Sequence, residues 1–325
     1  FPDSDLILVN SGTGALDVAV RALNLPAGSK VLVPAYTFCS SVSCIVGSSL
    51  VPVFCDVDRY SLNMTVEIIS DAFASVPDVS AVVVVNYGGW SADLVAIAEF
   101  CQEKNIYLIE DAAQSFGSKF DGRSLGTFGD LGCISFHHTK NVHCGEGGLL
   151  IINNTELTEI ASILVEKGTD KIAFQQGRVQ RYDWKRPSSS YCFSELLAKK
   201  LMGDVSLSPE YIRKRSLIAS IYSEFNWKSR GVEVIFPTID ERCEPNGHIF
   251  GLMIEDEVSV SRLRSAGLDL RKHYSNLANS PAVQCFEYLQ AGSLNHTNYL
   301  EKFWWRLPIR RELEPELLHA VLGKL

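Results

Sequence analysis

The strongest constraint on the fold is an alternation that fills the first 150 residues. Short Val- and Ile-rich runs at Lys30–Pro34, Leu50–Cys55, Ala81–Val85, Ile106–Glu110, Cys133–Phe136 and Gly148–Ile152 are separated by longer amphipathic stretches. The runs are apolar on every position rather than on every second one, as expected of strands covered on both faces. The intervening stretches Gly14–Leu25, Phe38–Val46, Thr65–Ala74 and Ala92–Lys104 carry helical spacing; in the last, Leu94, Ile97, Ala98 and Cys101 recur at i, i+3, i+4 and i+7. Strand alternating with helix predicts βαβ crossovers and a large, mostly parallel sheet, an α/β fold. Ligands of such sheets gather at the carboxyl ends of the strands.

Beyond residue 168 the character changes. Gly168–Ser190 is polar, aromatic and basic, and its many aromatic side chains predict an ordered loop rather than a linker. Helices are predicted at Ser194–Met202 and Pro209–Asn226, strands at Val232–Phe236 and Ile249–Ile254, and helices at Ser259–Ala266 and Pro315–Leu322. The 325 residues are therefore expected to divide into a large domain over 1–205 and a smaller C-terminal α/β domain over 206–325.

Charge and cysteine usage narrow the function. Thirty Lys and Arg against 38 Asp and Glu, a net charge of −8, leave no basic footprint for nucleic acid. No apolar run reaches the length of a membrane span, and the opening at Phe1-Pro2 shows no signal peptide, although an upstream segment is expected to precede it. Nine cysteines, an odd number mostly inside apolar runs and without a CxxC pair, predict free thiols in a reducing cytoplasm. His137, His138 and His143 lack the convergent partners of a metal site, so no metal is expected.

Three clusters lie where such a sheet would bind ligands. Asn10-Ser11-Gly12-Thr13-Gly14 follows an apolar Leu6–Val9 and opens a helix, whose free N–H groups suit an anion such as phosphate; Ser11 or Thr13 can equally be a plain N-cap. Asp111 ends the run Ile106–Glu110 beside small Ala112 and Ala113, placed to hold a cationic ligand nitrogen or to cap the next segment. Lys140 follows Ser135-Phe136-His137-His138-Thr139 and precedes a Gly-rich turn, Gly145-Glu146-Gly147-Gly148. Turned inward, its amine would be a nucleophile of lowered pKa; turned outward, an ordinary loop lysine. A phosphate cradle, an acid for a ring nitrogen and a lysine amine are together the requirements of pyridoxal 5′-phosphate.

The same segments, with Pro34-Ala35-Tyr36-Thr37-Phe38, Asn86-Tyr87-Gly88-Gly89, Glu110–Gln114 and Gly126–Gly129, resemble the DegT/DnrJ family of sugar aminotransferases in order and spacing. Gly168-Thr169-Asp170, Arg181–Trp184, Ser189-Ser190-Tyr191, Asn246–Phe250, His273-Tyr274 and Arg306-Leu307-Pro308 resemble a narrower group, the dTDP-4-amino-4,6-dideoxygalactose transaminases. The resemblance implies the PLP-dependent transferase fold of the aspartate aminotransferase type (fold type I). By position it implies Lys140 as the lysine that carries the cofactor and shuttles the proton. It also implies Asp111 on the ring nitrogen, Gln114 on the ring hydroxyl, Phe38 against the ring, Gly12, Thr13 and Ser135 on the phosphate, and His137 facing the substrate.

The reaction implied moves an amino group from L-glutamate to a nucleotide-linked, by this resemblance dTDP-linked, 4-keto-6-deoxy sugar, for surface polysaccharide (lipopolysaccharide) or glycoside biosynthesis. A homodimer with shared active sites is implied, the Trp184–Ser190 loop reaching its neighbour. Alternatives are an aminotransferase for a cyclitol or 3-keto sugar and a non-catalytic PLP-binding homologue; a dehydratase of this fold would carry histidine in place of Lys140. The chain departs from the family pattern at Asn86, where a histidine is usual, at Val142-His143-Cys144, and after Tyr274. An N-terminal helix that borders the site in relatives is expected upstream.

Overall fold

The computed structural model describes all residues, 1–325. Its central sheet contains β1 (Asp5–Val9), β2 (Lys30–Pro34), β3 (Val51–Cys55), β4 (Val79–Val85), β5 (Tyr107–Asp111), β8 (Leu131–Ser135), β9 (Gly148–Ile152) and β12 (Leu289–Gln290). The strand order is β1-β9-β8-β5-β4-β2-β3-β12. Pairings from β12 through β3, β2, β4 and β5 to β8 are parallel; at the other edge β9 alone runs the opposite way, antiparallel to both β8 and the outermost β1. The apolar runs read from the sequence fall on these strands within one or two residues.

Crossover helices cover both faces: α1 (Gly12–Ala22), α2 (Ser40–Gly47), α3 (Val66–Ser75) and α4 (Leu94–Lys104). On one side Leu16, Val20, Val31, Val33, Ile109 and Leu150 share an apolar core with α5 (Thr158–Val165). On the other, Leu32, Val53, Val82, Val84, Ile97 and Leu108 pack with Tyr36, Tyr87 and Trp304. Burying apolar surface on both faces, at roughly 25 cal/mol per Å², is what holds a parallel sheet together. Local sequence bounds α3 and α4: Thr65 caps Ile68 N, Asp93 caps Ala96 N, and Asn105 closes α4 in the left-handed conformation.

The segment 168–190 is ordered. It holds a short helix α6 (Lys171–Gln175), a bridge between Thr169 and Trp184, and Asp170, which accepts from Asp183 N at 2.6 Å and pairs with Lys185 at 3.1 Å. Helices α7 (Glu195–Ser206) and α8 (Ser208–Glu224) follow. A small sheet of β6 (Lys119–Phe120), β7 (Arg123–Ser124) and β10 (Cys243–Glu244) sits at the side of the large one.

Beyond it, β11 (Phe250–Met253) and β13 (Trp304–Leu307) pair antiparallel, with α9 (Glu257–Ala266), α10 (Asn295–Phe303) and α11 (Pro315–Leu322) around them. Leu252, Trp305, Leu307, Leu318 and Tyr222 of α8 form a separate apolar core there. The strand predicted at Val232–Phe236 is reduced to one bridge, Ile235 to Met253 on the edge of β11 that β13 leaves free, because Val232 N and Glu233 N donate instead to Trp227 O and Ser259 Oγ. Residues 277–294 return to the large sheet, where Leu289 and Gln290 of β12 pair with Val53 and Phe54. No helix is long and apolar enough to cross a membrane.

Candidate active site

A cavity of about 490 Å³ opens at the carboxyl ends of β5 and β8, within the size range of small-molecule sites. Its lining includes Gly12, Thr13, Phe38, Asp111, Gln114, Ser135, His137 and Lys140, so the structure brings to one place the residues that the resemblance implies for cofactor and substrate, while His138 and His143 lie outside the lining.

The amino end of α1 forms one wall. Ser11 is its N-cap and accepts from Gly14 N at 2.9 Å. That leaves the Thr13 hydroxyl free to meet Ser40 Oγ at 2.7 Å. Gly12 and Thr13 are among the first residues of the helix, so their N–H groups have no intrahelical acceptor. A β-carbon on Gly12 would lie 2.7 Å from Ser135 Cβ. Glycine is thus required for the helix to sit against the end of β8, where Ser135 accepts from His137 N at 3.3 Å.

Asp111 ends β5, buried at the cavity floor. Its Oδ2 accepts from Ser41 Oγ at 2.6 Å and its Oδ1 from Ala113 N at 3.2 Å. Thr37 and Ser41 hydroxyls lie 2.9 Å apart; since Ser41 spends its proton on the carboxylate, Thr37 donates to Ser41. Burial pushes the Asp111 pKa up, while Ser41, Ala113 and the Lys140 charge oppose that rise. Its neighbour Glu110, fully buried, accepts from Gly126 N, Phe128 N, Gly129 N and Asn86 Nδ2. Asn86, the departure from the family histidine, is therefore a neutral donor to a buried acid.

Lys140 is half-buried, lines the cavity, and makes no ion pair. Burial lowers its pKa from an ordinary 10.5 to about 8, against the pull of Asp111 and with a further push from the Arg306 charge. Gln114 is held at both ends: Oε1 accepts from Gly88 N at 2.7 Å and Nε2 donates to Tyr274 Oη at 2.9 Å, leaving one Nε2 proton for a ligand. Phe38 lines the cavity with 54% of its surface exposed, unusual for a phenyl ring. His137 stands at the rim, bonded through Nδ1 to Thr139 Oγ1 at 2.8 Å and facing Glu146 at 3.4 Å through Nε2; burial lowers its pKa.

Sequence reasoning missed Ser40, Ser41, His248, His273 and Arg306, which also line the cavity or hold its floor. Asn141 Nδ2 donates to Asn246 O at 2.9 Å, so its Oδ1 must accept from His248 Nδ1, 3.0 Å away. Burial keeps the His248 ring neutral, and Nε2 is left as a bare acceptor. Buried Arg215 fixes the same segment by donating to Gly247 O and Ile309 O. Tyr87 Oη accepts from Trp304 Nε1 at 2.8 Å and donates to His273 O at 2.9 Å, tying the C-terminal region to the large sheet.

The donor set fits pyridoxal phosphate. Free N–H and hydroxyl groups at α1 suit its phosphate, buried Asp111 its ring nitrogen, the exposed Phe38 ring its face, and the unpaired Lys140 amine its aldehyde. Together with an eight-stranded, mostly parallel sheet, this defines a protein of the PLP-dependent transferase fold.

Comparison with known proteins gives the family. Residues 3–325 match the model of the DegT/DnrJ/EryC1/StrS aminotransferase family, and the chain belongs to it. The pyridoxal phosphate cofactor goes with that family. The chain is similar to the dTDP-4-dehydro-2,3,6-trideoxy-D-glucose 4-aminotransferase of Saccharopolyspora spinosa, 33% identical over 75% of this chain and 63% of that protein. It is 29% identical to the GDP-perosamine synthase of Escherichia coli O157:H7, over 76% of this chain and 69% of that protein. Among solved structures, the aminotransferase TlmJ from Streptoalloteichus hindustanus superposes with a TM-score of 0.86 at 27% identity, covering 98% of this chain and 84% of that one.

Proposed function

We propose that the protein transfers an amino group from L-glutamate to a nucleotide-linked keto sugar, a dTDP-linked 4-keto-6-deoxy sugar being the acceptor the sequence resemblance favours. The observation that carries this reading is the convergence of the Lys140 amine, its pKa lowered to about 8, with buried Asp111 and the open end of α1 on one cavity. The relatives' names, a dTDP-sugar aminotransferase and a GDP-perosamine synthase, support a sugar nucleotide as acceptor class.

Pyridoxal phosphate, when bound, supplies an aldehyde for amines and a ring that absorbs the electrons of a breaking C–H bond. Lys140 would hold it and, once freed, use its neutral Nζ to take the proton from the donor's α-carbon and return it to the acceptor carbon. Asp111 would keep the ring nitrogen protonated; Ser41 and Ala113 supply the hydrogen bonds that favour its ionised form. Gly12, Thr13, Ser135 and Ser40 would anchor the phosphate, and Gln114 would donate its spare proton to the ring hydroxyl. His137, at the rim, would meet the sugar.

The active unit in this reading is a homodimer. Trp184 is 71% exposed, and Tyr182 and Phe174 of the same segment, with rings 5.8 Å apart, are exposed as well. Such an apolar group on an ordered loop is expected to be covered by a partner. Nine free thiols are in keeping with a reducing cytoplasm.

Borohydride treatment of the holoenzyme followed by peptide mass spectrometry tests the cofactor assignment: a pyridoxyl group on Lys140 is expected, and label elsewhere overturns it. A panel of nucleotide keto sugars with glutamate, read by product mass, tests the acceptor. Amination of a cyclitol alone would replace the sugar-nucleotide reading.

A further inference from the structure

Two cations line the cavity, Lys140 and Arg306. Lys140 has Asp111 nearby, whose charge raises its pKa. Arg306 has no counterpart: its side chain makes no hydrogen bond and no ion pair, and only its backbone is engaged, with Arg271 N and O at 3.1 and 2.8 Å. The cavity's carboxylates are otherwise committed, Asp111 to Ser41 and Ala113, and Glu146 to His137.

The strand aims this arginine. Along β13 the pleat alternates, so Trp304 and Arg306 share one face while Trp305 and Leu307 share the other. Trp305 and Leu307 enter the core of the C-terminal region; Trp304 enters that of the large sheet and is pinned to Tyr87 Oη at 2.8 Å. Arg306 is thereby carried toward the large sheet and over the cavity. Burial lowers the pKa of Lys140, His248 and His273, and the Arg306 charge lowers each further. An arginine held beside a lysine and two neutral histidines, without an anion of its own, is arranged for an anion that comes and goes.

We propose that Arg306 is the specificity residue that grips the α-carboxylate of the incoming amino donor. This rests on the aminotransferase reading above, which brings four anions to the cavity; the donor's side-chain carboxylate, two methylene groups beyond the α-carbon, is the one held farthest from the donor's reacting carbon. The cofactor phosphate has its own wall, built by the end of α1. A nucleotide diphosphate hangs from the sugar's anomeric carbon, so it lies across the ring from the carbon that reacts at Lys140. The donor's α-carboxylate is bonded to the same carbon as the reacting amine. A group that reads it must stand close to Lys140, as Arg306 does. The guanidinium offers a planar fork that binds both carboxylate oxygens at once, fixing the α-carbon's orientation as well as its charge.

Arg306→Gln and Arg306→Lys holoenzymes test this. Both are expected to keep the cofactor's visible absorbance and the borohydride label on Lys140. For Arg306→Gln, kcat/KM with L-glutamate should fall about 50-fold or more, chiefly through KM, and the lysine variant should recover part of it. Calorimetry should show 2-oxoglutarate binding weakened at least about tenfold by Arg306→Gln, with dTDP binding unchanged. L-glutamic acid α-amide should be a poor donor for the unmodified enzyme and no poorer for Arg306→Gln. If Arg306→Gln loses the cofactor, the lysine variant's donor kinetics carry the test. The proposal is overturned if variants that retain the cofactor keep normal glutamate kinetics, if dTDP affinity falls instead, or if Arg306→Gln still discriminates fully against the α-amide. Absence of cofactor from Lys140 in the unmodified protein would be a failure of the aminotransferase reading itself, and the proposal would fall with it.

Discussion

Ser41 Oγ lies 2.6 Å from Asp111 Oδ2, a short charge-assisted hydrogen bond sealed in the cavity floor. It is the largest of the influences that oppose burial in setting the Asp111 pKa. Removing it should push that pKa further up, so the carboxylate that would hold the ring nitrogen is ionised less readily. Ser41→Ala is expected to reduce PLP affinity by about tenfold, in line with the ~1.5 kcal/mol of one hydrogen bond to a charged group. Cofactor titration followed by absorbance checks it; unchanged affinity would mean Ser41 only packs.

Asp111→Asn keeps the size of the side chain and removes its charge. An amide cannot hold the ring nitrogen protonated, whereas the Lys140 amine is untouched. The variant should be yellow when saturated with PLP yet turn over glutamate at least ~100-fold more slowly, a loss of about 2.7 kcal/mol. Near-normal turnover would reduce Asp111 to a structural cap.

Lys140 gives a pH dependence of opposite sign to that of an ion-paired lysine. Its folded-state pKa, about 8, lies below the ordinary 10.5, so between these values the unfolded chain binds more protons than the folded one. This group's contribution therefore makes the cofactor-free protein more stable as pH rises from about 8 toward 10.5. Lys140→Met should raise the melting temperature at pH 7 and flatten that slope, as scanning calorimetry of the cofactor-free protein would record. A variant that melts lower would mean the amine is not held at a cost.

Gly12→Ala tests the cradle. The added methyl would meet Ser135 Cβ at 2.7 Å and must displace the first turn of α1 from β8. We expect weaker retention of PLP on dialysis with little change in far-ultraviolet circular dichroism. Full retention would show that the phosphate does not depend on that contact.

Trp184→Glu addresses assembly. Sedimentation of the variant should show monomers, with activity lost in proportion; an active monomer would remove the loop from the site.

Much of this molecule is readable from residue order because its core strands are continuous apolar runs, and a run such as Val82–Val85 admits few other placements. Asp111 and Lys140 could be found because each follows such a run directly, at the sheet's carboxyl edge. Arg306 could not. It sits between Trp305 and Leu307 in a four-residue strand that reads as core, and only the pleat shows that it faces away from them. Ser40 and Ser41 open a helix, where hydroxyls are ordinarily caps, so their partners Thr13 and Asp111 had to be seen in space. The strand expected at Val232–Phe236 had the right residues, but its first N–H groups are taken by Trp227 O and Ser259 Oγ, which leaves a single bridge to β11. Strand pairing is a property of neighbours distant in sequence, which local pattern does not carry.

The C-terminal strands also set an order of events. β12 completes the edge of the large sheet beside β3, and β13 places Arg306 on the cavity wall and Trp304 against Tyr87. A chain still emerging from the ribosome has Lys140 and Asp111 early, yet no closed pocket around them until these last strands arrive. Closure of the pocket thus waits for the strands beyond residue 288, and a reactive amine stands unguarded in the nascent protein until they arrive.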